Sequence, residues 1–565
     1  MTSTRRGNVP RRLGAGARWS LAAVTTVFCL GTAELALRVL DLPASAADFH
    51  FVRPDGELDQ VFAPGSNAVT DPELFWRIVP GQMPKSALVN RHGLRGPWPE
   101  RAKGPRDLRI ACIGDSCTYG LGVAYDSAYG VQLERQLQNA LPDRCVDAFL
   151  VGFPGYSTHQ SRVLVERHLG ELAPDVTIFY LGAWNDYLPA VPHDDLERAR
   201  RASRSLRLHM LVDRLSEPDA EEFTFLREEF RAGRAPRGRR VALPQFRANV
   251  LAMLAAARAL GSAPILVVPP VPASTRTVHP IGAEYRDCLL QLATAEQVPM
   301  VDGDALFAAH AGEPLFLDWV HPTRRGYQLL AEALAPLVQR TLRPLPARPA
   351  AAVLVDRIEP AVVPVLTPTT VRLHGQGLGA PGAFDRVFVG DRWQPEVRIE
   401  RDRLDVQVQR IVPPGRHRVC LQTANGLVDA GELTVGTAEP FPVRAELVRG
   451  TDLRLRVTGR ASVEAHVAVW LAPVLASSPR ATPIGPFHLD AAAMAGLPEP
   501  LDLTALPLPR TLGVAGAFGT FTVECVVPPE LVGAAAPVFV QVALFDPEDR
   551  SFGALSQALS VSLAN

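Results

Sequence analysis

Short apolar segments alternate with amphipathic ones between residues 71 and 342 of the chain. Apolar runs without a polar face are typical of strands inside a covered parallel sheet. Five such runs predict strands over residues 108–114, 146–152, 176–182, 264–270 and 299–302. Leu133, Leu137 and Leu141 follow a helical period, as does the run 246–260. The alternation predicts an α/β fold with a doubly wound parallel sheet.

Residues 188–240 interrupt this rhythm and predict an insertion between the third and fourth strands. An Arg-rich helical piece over 197–211 is followed by an acidic and aromatic piece over 221–230. Such insertions often form lids or substrate walls. A solvated helical excursion remains the alternative interpretation.

Beyond residue 342 the pattern changes to short alternating runs separated by Gly and Pro. This is typical of β-sandwiches. We predict a Pro-rich linker over 343–352 and two sandwiches over 353–437 and 438–565.

The N-terminal segment carries positive charge before an apolar run, Trp19 to Ala33. This order keeps the N-terminus in the cytoplasm and sends the following chain across a membrane. Residues 1–45 are therefore predicted to hold a cytoplasmic tail and a membrane anchor, with the α/β domain that follows extracytoplasmic. The apolar run reaches Leu40 if Arg38 extends to the interface. Cleavage as a signal peptide near Ala33, giving a secreted protein, stays open. The basic residues are Arg5, Arg6, Arg11, Arg12 and Arg18.

Composition narrows the possible partners. A formal net charge of −1 and a pI near 6.9 provide no basic field for nucleic acid. The seven cysteines lack the spacing of zinc ligands, and no phosphate-binding glycine loop occurs. We therefore expect no metal, no organic cofactor and no nucleic-acid partner.

Polar blocks follow the predicted strands, where ligands collect in open α/β sheets. The first three blocks follow the first three strands, and the fourth precedes the last helix. They are Gly114-Asp115-Ser116, residues 152–158 (GFPGYST), residues 182–186 (GAWND) and residues 318–322 (DWVHP).

The four blocks, in this order, resemble those of the SGNH (GDSL-type) hydrolase family. The resemblance covers about residues 71–342 and implies a flavodoxin-like, three-layer fold with esterase activity. It implies that Ser116 is the nucleophile and that Asp318 and His321 complete a triad. It also implies an oxyanion hole made by Ser116, Gly155 and Asn185.

Part of the C-terminal region also resembles a known module. Short marks, among them IEP, GQGLG and VFVGD, occur in the order found in IPT/TIG-type immunoglobulin-like domains. This resemblance covers residues 353–437.

The chemistry of these residue types supports the resemblance. A serine hydroxyl needs a base, and a histidine side chain titrates near neutral pH. A carboxylate three residues before the histidine can hold its ring in the useful tautomer. Backbone N–H groups at 116 and 155 and the Asn185 amide can stabilise an oxyanion.

Each residue also has a structural interpretation by itself, for example Ser116 as a helix N-cap. Together they predict an exported serine esterase that acts on an ester-bearing small molecule or a glycan. One alternative is an O-acyltransferase with the same triad. The other is an inactive surface-binding protein.

Overall fold

The computed structural model describes most of the α/β region and much of the C-terminal β region. The described residues are 15–40, 50–52, 58–60, 68–71, 73–78, 89–99, 101–190, 194–204, 228–229, 232, 234, 238–342, 344, 353–380, 382–436, 441–449, 453–462, 464–472, 475–482, 485–489, 513–514, 520–527, 537–546 and 553–562. The predicted basic tail over 1–14, nearly all of the Pro-rich linker and most of the 221–230 piece lie outside these residues.

Chain contacts divide the molecule into two compact units. Residues Met1–Arg77 and Leu188–Arg240 form the first, and residues Ile78–Tyr187 and Val241–Asn565 form the second. The first unit contains helix α1 (Ala15–Val39) and helix α5 (Asp195–Arg204), with short strands between them in the chain. These strands are β1 (His50–Val52), β2 (Leu58–Gln60), β3 (Ala68–Asp71) and β4 (Phe75–Ile78), the last of which ends at the boundary.

Helix α1 has the length and composition to cross a membrane. Its stretch Trp19–Val39 has a mean hydropathy of 1.6 and is almost entirely exposed. Arg38 Nε lies 2.6 Å from Glu34 Oε1, one helical turn earlier. The two charges that interrupt the apolar run thus pair with each other, and the helix continues past the charge-free segment to Val39.

The centre of the second unit is a five-stranded parallel sheet in the order β6-β5-β7-β8-β9. Every residue of the first three strands along the chain is buried, as expected for strands without a polar face. The strands are β5 (Asp107–Gly114), β6 (Cys145–Gly152), β7 (Val176–Tyr180), β8 (Ala263–Val268) and β9 (Met300–Asp302). All five predicted strands are confirmed.

Two strands end earlier than predicted. Strand β7 stops at Tyr180 because Gly182 turns with a left-handed φ of 77°. Strand β8 stops at Val268 because Pro269 and Pro270 follow and cannot donate ladder hydrogen bonds.

Helices connect the parallel strands and follow the last of them. They are α2 (Ser116–Tyr119), α3 (Tyr129–Ala140), α4 (Thr158–Leu172), α6 (Leu243–Ala259), α7 (Ala273–Val278), α8 (Gly282–Ala295), α9 (Gly303–Ala308) and α10 (Arg324–Arg340). Helix α10 packs on α3, whereas α6 packs on α4 and α8. Because parallel crossovers are right-handed, the reversal of strand order at β5 puts α3 on one face and α4, α6 and α8 on the other. The predicted doubly wound fold is confirmed.

The strand order also fixes where a site can form. The chain moves from β5 to β6 on one side and then crosses to β7 on the other. The carboxyl ends of β5 and β7 therefore flank the topological switch point, where open α/β sheets bind ligands.

The C-terminal region consists of further β-sheets, almost all of them antiparallel. A four-stranded sheet β10-β12-β16-β15 and a five-stranded sheet β11-β18-β17-β13-β14 come first. Their strands are β10 (Leu354–Glu359), β11 (Val362–Pro364), β12 (Thr369–Gln376), β13 (Arg386–Val389), β14 (Arg392–Gln394), β15 (Glu396–Ile399), β16 (Arg403–Val408), β17 (Gly415–Thr423) and β18 (Gly426–Gly436).

The remaining strands form a three-stranded sheet β19-β20-β25, a β22-β23 hairpin and a five-stranded sheet that contains β21 and β26. They are β19 (Val443–Arg449), β20 (Leu453–Arg460), β21 (His466–Ala472), β22 (Leu475–Thr482), β23 (Gly485–Leu489), β24 (Gly513–Val514), β25 (Thr520–Val526), β26 (Val538–Phe545), β27 (Gly553–Leu555) and β28 (Leu559–Val561). Buried side chains from Val353 to Ala554 make one continuous apolar core. The predicted change from α/β to β structure is confirmed.

Charged side chains join this β region to the α/β region. Asp126 follows the α2 turn and pairs with both Arg392 and Arg410. Burial alone would raise the pKa of Asp126, but the two guanidinium groups outweigh it and lower the pKa far below the ordinary value. Arg410 also lies over the Tyr125 ring, at 4.9 Å from its centroid.

A second buried cluster lies along α3 and β6. Arg386 of β13 pairs with Asp147 and lies 3.4 Å from Glu134 Oε1. Gln422 of β17 donates to Asp147 Oδ1 at 2.6 Å. These contacts desolvate charges that either region alone would expose to water.

Asp126→Asn is expected to destabilise the fold by about 3–5 kcal/mol at neutral pH, because it leaves two buried arginines without their carboxylate. Asp126 has a lowered pKa in the folded state, so its stabilisation is present above the unfolded value of about 3.9. It is lost as the pH falls through the lower, folded value. The difference in unfolding free energy between wild type and variant should shrink below that unfolded pKa.

Chemical unfolding at a series of pH values measures this difference. Glu432→Gln is the control, because Glu432 pairs with Arg416 within the β region but is half exposed. Its cost should be at most about 1 kcal/mol. A pH-independent difference for Asp126→Asn would contradict the prediction.

Candidate active site

The turn after β5 presents Ser116 at the carboxyl edge of the sheet. Asp115 caps α2, and its Oδ1 accepts a hydrogen bond from the Cys117 N–H at 2.9 Å. Gly114 permits this tight turn, because a Cβ there would lie 2.6 Å from the Tyr180 carbonyl oxygen. Ser116 is consequently the first residue of the short helix.

His321 reaches this serine from the loop before α10. Its Nε2 lies 2.8 Å from Ser116 Oγ, and its Nδ1 lies 2.7 Å from Asp318 Oδ2. Ser116 and His321 are each 8% exposed. The three residues form one hydrogen-bonded line in the order carboxylate, imidazole, hydroxyl.

The loop itself holds the carboxylate. Asp318 Oδ1 accepts from the N–H groups of Val320 and His321 at 2.9 and 2.8 Å. Burial alone would raise the pKa of Asp318, but the hydrogen bonds from His321 and from this backbone outweigh burial and lower the pKa. Asp318 is thus ionised at neutral pH and can accept a hydrogen bond from the ring N–H.

Gly155 and Asn185 follow the two strands that flank β5. Gly155 has a left-handed φ of 83°, which suits glycine. It follows β6, whose last residue Gly152 pairs with Gly114 at the end of β5. Asn185 follows β7 and begins a short 3₁₀ turn, Asn185–Tyr187.

A side-chain contact joins Asn185 to the nucleophile turn. Asn185 Nδ2 donates to Asp115 Oδ2 at 3.0 Å, and both residues are buried. One N–H of the amide is used in this bond, which orients the second. Burial raises the pKa of Asp115, and the bonds from Cys117 and Asn185 offset this only in part.

Asp115 is a site residue that the sequence interpretation did not single out. It was present in the first block, and an aspartate between a buried strand and a helix is a familiar N-cap signal. Its second contact, to Asn185, spans 70 positions of the chain. That contact follows from the adjacency of β5 and β7, which local sequence patterns do not encode.

Asp186, the residue after Asn185, links the second and third polar blocks. Its Oδ1 accepts from the N–H of Thr158, at the start of α4, at 2.8 Å, and from the Thr158 hydroxyl. Asn185 is therefore held by its neighbour as well as by Asp115.

The remaining residues near the blocks mainly pack. Cys117 is buried, and burial raises the pKa of its thiol well above the ordinary value, so it is no competing thiolate. Trp184 lies against Trp319, with ring centroids 4.1 Å apart. Trp319 is only half-buried and its centroid lies 6.1 Å from that of His321, so it can border the substrate.

Among the described residues, one cluster has metal-ligand chemistry. Ligand atoms of His92, His168 and Glu171 lie within 4.8 Å of one another. Arg91 occupies this cluster, since it donates to Glu171 at 2.8 Å and to His92 Nε2 at 3.2 Å. A cation there would face a guanidinium, so the donor set does not fit a metal.

Comparisons with known proteins found similarity over the α/β region. Residues 112–329 match the model of the GDSL-like Lipase/Acylhydrolase family. A comparison with curated proteins found no match.

Several solved structures are similar. The lipase/acylhydrolase from Enterococcus faecalis is 19% identical, with 42% of this chain and 100% of that one covered and a TM-score of 0.29. An acetylxylan esterase from Geobacillus stearothermophilus is 18% identical, with 41% and 94% covered and a TM-score of 0.29. A lipolytic protein of the G-D-S-L family from Veillonella parvula is 16% identical, with 41% and 99% covered and a TM-score of 0.28.

The family match begins within the strand that leads to Ser116 and includes the Gly155 and Asn185 blocks and the His321 loop. The α/β region of this chain is therefore similar to the GDSL-like lipase/acylhydrolase family, and this match supports a hydrolase.

Proposed function

We propose that the chain is a membrane-anchored serine esterase whose catalytic domain acts outside the cytoplasm. The observation that carries the proposal is the line of hydrogen bonds from Asp318 through His321 to the Ser116 hydroxyl, at 2.7 and 2.8 Å. In this arrangement Ser116 is the nucleophile, His321 the general base and Asp318 the group that orients and stabilises the imidazolium.

Acylation begins when Ser116 Oγ attacks the ester carbonyl carbon and its proton moves to His321 Nε2. A tetrahedral intermediate forms, with one negative charge on the former carbonyl oxygen. When the intermediate collapses, the bond to the alcohol oxygen breaks and His321 returns the proton to that oxygen. The alcohol leaves and the acyl group stays on Ser116.

Three N–H donors are proposed for the oxyanion. They are the backbone N–H groups of Ser116 and Gly155 and the second N–H of the Asn185 amide. The bond from Asn185 to Asp115 supports this role, because it fixes the amide before the charge develops.

Deacylation repeats these steps with water as the nucleophile. His321 takes a proton from water, the resulting hydroxide oxygen attacks the acyl carbon, and Ser116 Oγ leaves with the proton that His321 returns. The free acid is released. A sugar hydroxyl in place of water would give acyl transfer instead.

The proposed substrate is an acylated glycan outside the cell, from which the enzyme removes the acyl group. An exported catalytic domain is followed by β-sheets, of which residues 353–437 carry the IPT/TIG-like marks, and such modules often bind extracellular ligands. Helix α1 supports membrane attachment, because an uncleaved apolar helix of this length would keep the enzyme at the surface.

The proposal is tested on the full-length chain in detergent with a fluorophosphonate probe and a panel of nitrophenyl esters. We expect labelling on Ser116, located by peptide mass spectrometry, and ester hydrolysis. Acetylated oligosaccharides then test the substrate class, with free acetate compared with acetate transferred to an added sugar. No labelling together with no hydrolysis would favour a binding protein.

Asn185→Ala is expected to lower kcat by about 10²–10³-fold, because one oxyanion donor is lost. KM should change little, since the ground-state carbonyl carries little charge. Steady-state kinetics with a nitrophenyl ester measure both constants.

Gln541→Ala is the matched control, because Gln541 is also a buried amide side chain but donates to the Ser556 carbonyl oxygen in the β region, at 2.9 Å, and not to the nucleophile turn. An equal loss of kcat in both variants would contradict the assignment of Asn185 to the oxyanion hole.

A further inference from the structure

A buried arginine lies behind the turn that carries Ser116. Arg95 Nη1 donates to the carbonyl oxygens of Tyr119 and Gly120 at 2.9 and 2.8 Å, and its Nη2 donates to that of Val123 at 3.0 Å. These carbonyl groups lie at and beyond the end of α2, where a helix leaves acceptors without intrahelical partners. One guanidinium therefore holds the segment from the end of the nucleophile helix to Val123.

The packing around this guanidinium leaves the turn little freedom. Gly120 has a left-handed φ of 76°, and a Cβ there would lie 2.8 Å from Ala128 Cβ and 3.2 Å from Arg95 Nη1. The N–H of Leu121 donates to the Ser116 carbonyl oxygen at 3.0 Å. A shift of the guanidinium would thus be transmitted to the residue that carries the nucleophile.

The counter-charge for Arg95 comes from the β region. Glu464, in the loop between β20 and β21, accepts from Arg95 Nη2 through Oε1 at 2.9 Å. Its Oε2 accepts from the backbone N–H of Tyr125 at 3.1 Å. The side chains of Arg95 and Glu464 are only 5% and 12% exposed. A single carboxylate thus contacts both the arginine and the segment that follows the turn.

Burial makes this carboxylate necessary. Burial alone would lower the pKa of Arg95, but the charge and hydrogen bond of Glu464 outweigh it and raise the pKa. Without that carboxylate a buried guanidinium would lack a counter-charge, which is strongly unfavourable in a low-dielectric site. This unpaired charge could be stabilised only if the arginine moved or if water entered the site.

The backbone at Glu464 is itself unusual. Its φ is +66°, in the left-handed region that favours glycine. The loop holds this conformation with hydrogen bonds from Ala465 N–H to the Ser462 carbonyl at 3.0 Å and from Ser462 N–H to the Leu366 carbonyl at 2.9 Å. Such strained residues persist where the surrounding structure over-determines them and cluster at functional positions.

We propose that Glu464 is a positioning residue for catalysis, which acts through Arg95 to hold the turn that carries Ser116. In this proposal the β region supplies a residue that positions the catalytic turn, whether or not it also binds a ligand. The inference rests on the proposed role of Ser116 as the nucleophile. It assigns to a residue 369 positions from Arg95 an effect on the rate of acylation.

The test compares Glu464→Gln with the wild-type full-length chain in detergent. The amide keeps the shape of the side chain but removes the charge and one acceptor. We expect kcat and the rate constant of fluorophosphonate labelling to fall by about 10- to 100-fold, as small misplacements of a reacting group do. KM should stay at the wild-type value, because Glu464 does not contact the substrate.

Hydrogen exchange supplies a readout that does not depend on activity. The N–H groups of Tyr119 and Leu121 donate to the carbonyl oxygens of Asp115 and Ser116 at 2.9 and 3.0 Å. We expect both amides to exchange faster in Glu464→Gln. If the wild type neither hydrolyses esters nor labels, the proposed function fails, and this exchange still decides whether Glu464 holds the turn.

Arg386→Gln is the matched control, since it breaks a buried charge cluster across the same boundary but away from the nucleophile turn. It should lower Tm while leaving kcat and the exchange of Tyr119 and Leu121 unchanged. Glu464→Asp retains the charge on a shorter side chain. Its kcat and its amide exchange rates should lie between those of the wild type and Glu464→Gln, and it replaces Glu464→Gln in the comparison if that variant does not fold. Wild-type rates and exchange in the Glu464 variants, or an equal loss in Arg386→Gln, would overturn the proposal.

Discussion

Replacing Ser116 with alanine is expected to lower kcat by about 10⁶-fold, the loss seen when a triad nucleophile is removed from a serine hydrolase. The hydroxyl of Ser116 lies 2.8 Å from His321 Nε2, so its deletion leaves the base without a bonded nucleophile. The proposed oxyanion donors would remain in the variant and could still polarise an ester carbonyl. We therefore expect some residual catalysis above the rate in water. Hydrolysis of nitrophenyl esters and fluorophosphonate labelling both measure the loss.

Cys117→Ala is the control for this substitution. Cys117 is adjacent in sequence, but its thiol is buried and its Sγ lies 3.8 Å from the Val320 carbonyl oxygen. We expect normal labelling and only a modest loss of stability from the small cavity. Activity in Ser116→Ala together with inactivity in Cys117→Ala would identify the thiol as the nucleophile and contradict the prediction.

The sheet could be predicted from the sequence because its strands have no polar face. In β5, for example, every position from Asp107 to Gly114 is buried, so the chain shows a continuous apolar run with charge only near its start. Proline and glycine marked most of the ends. The two errors in strand length fell at Pro269 and Gly182, where backbone chemistry overrides an apolar side-chain pattern.

The candidate triad could also be predicted, because each block is short and lies at a strand end or before a helix. Asp318 and His321 are three residues apart, so their contact is local in the chain. The contact between Asp115 and Asn185 is not local. It depends on which strands are neighbours, and no periodicity in the sequence states the strand order.

The role of the β region was the largest gap. The sequence interpretation treated the sandwiches as separate modules beyond a linker. The alternation of apolar and polar residues within residues 353–565 is sufficient to predict their strands without reference to the α/β region. The contacts of Asp126 with Arg392 and Arg410, and of Arg95 with Glu464, come from single charged residues in turns, at isolated bridges or at the start of a short strand. An isolated charge in such a segment normally indicates a solvated surface, so burial at an interface leaves no signal in one sequence.

Asp318→Asn is expected to lower kcat by about 10⁴-fold, through the tautomer of His321. The carboxylate accepts a hydrogen bond from the Nδ1–H of His321 at 2.7 Å, which leaves Nε2 without a proton and able to accept one from Ser116. The asparagine amide has nearly the same shape, but its NH₂ group can donate to Nδ1. The ring would then carry its proton on Nε2, facing the serine, and could not act as the base. The lost negative charge also removes stabilisation of the imidazolium.

Steady-state kinetics and labelling at neutral pH measure this effect, and Glu313→Gln serves as its control. Glu313 belongs to the segment between α9 and α10 that also contains Asp318, but it pairs with Arg325 at the surface, at 2.6 Å. Its replacement should leave kcat unchanged, because an exposed pair contributes at most about 1 kcal/mol to stability and nothing to the ring tautomer. The orienting role of Asp318 would be refuted if Asp318→Asn kept nearly wild-type kcat. A selective loss in Asp318→Asn would instead show that the carboxylate acts on the imidazole and not merely on the fold of the loop.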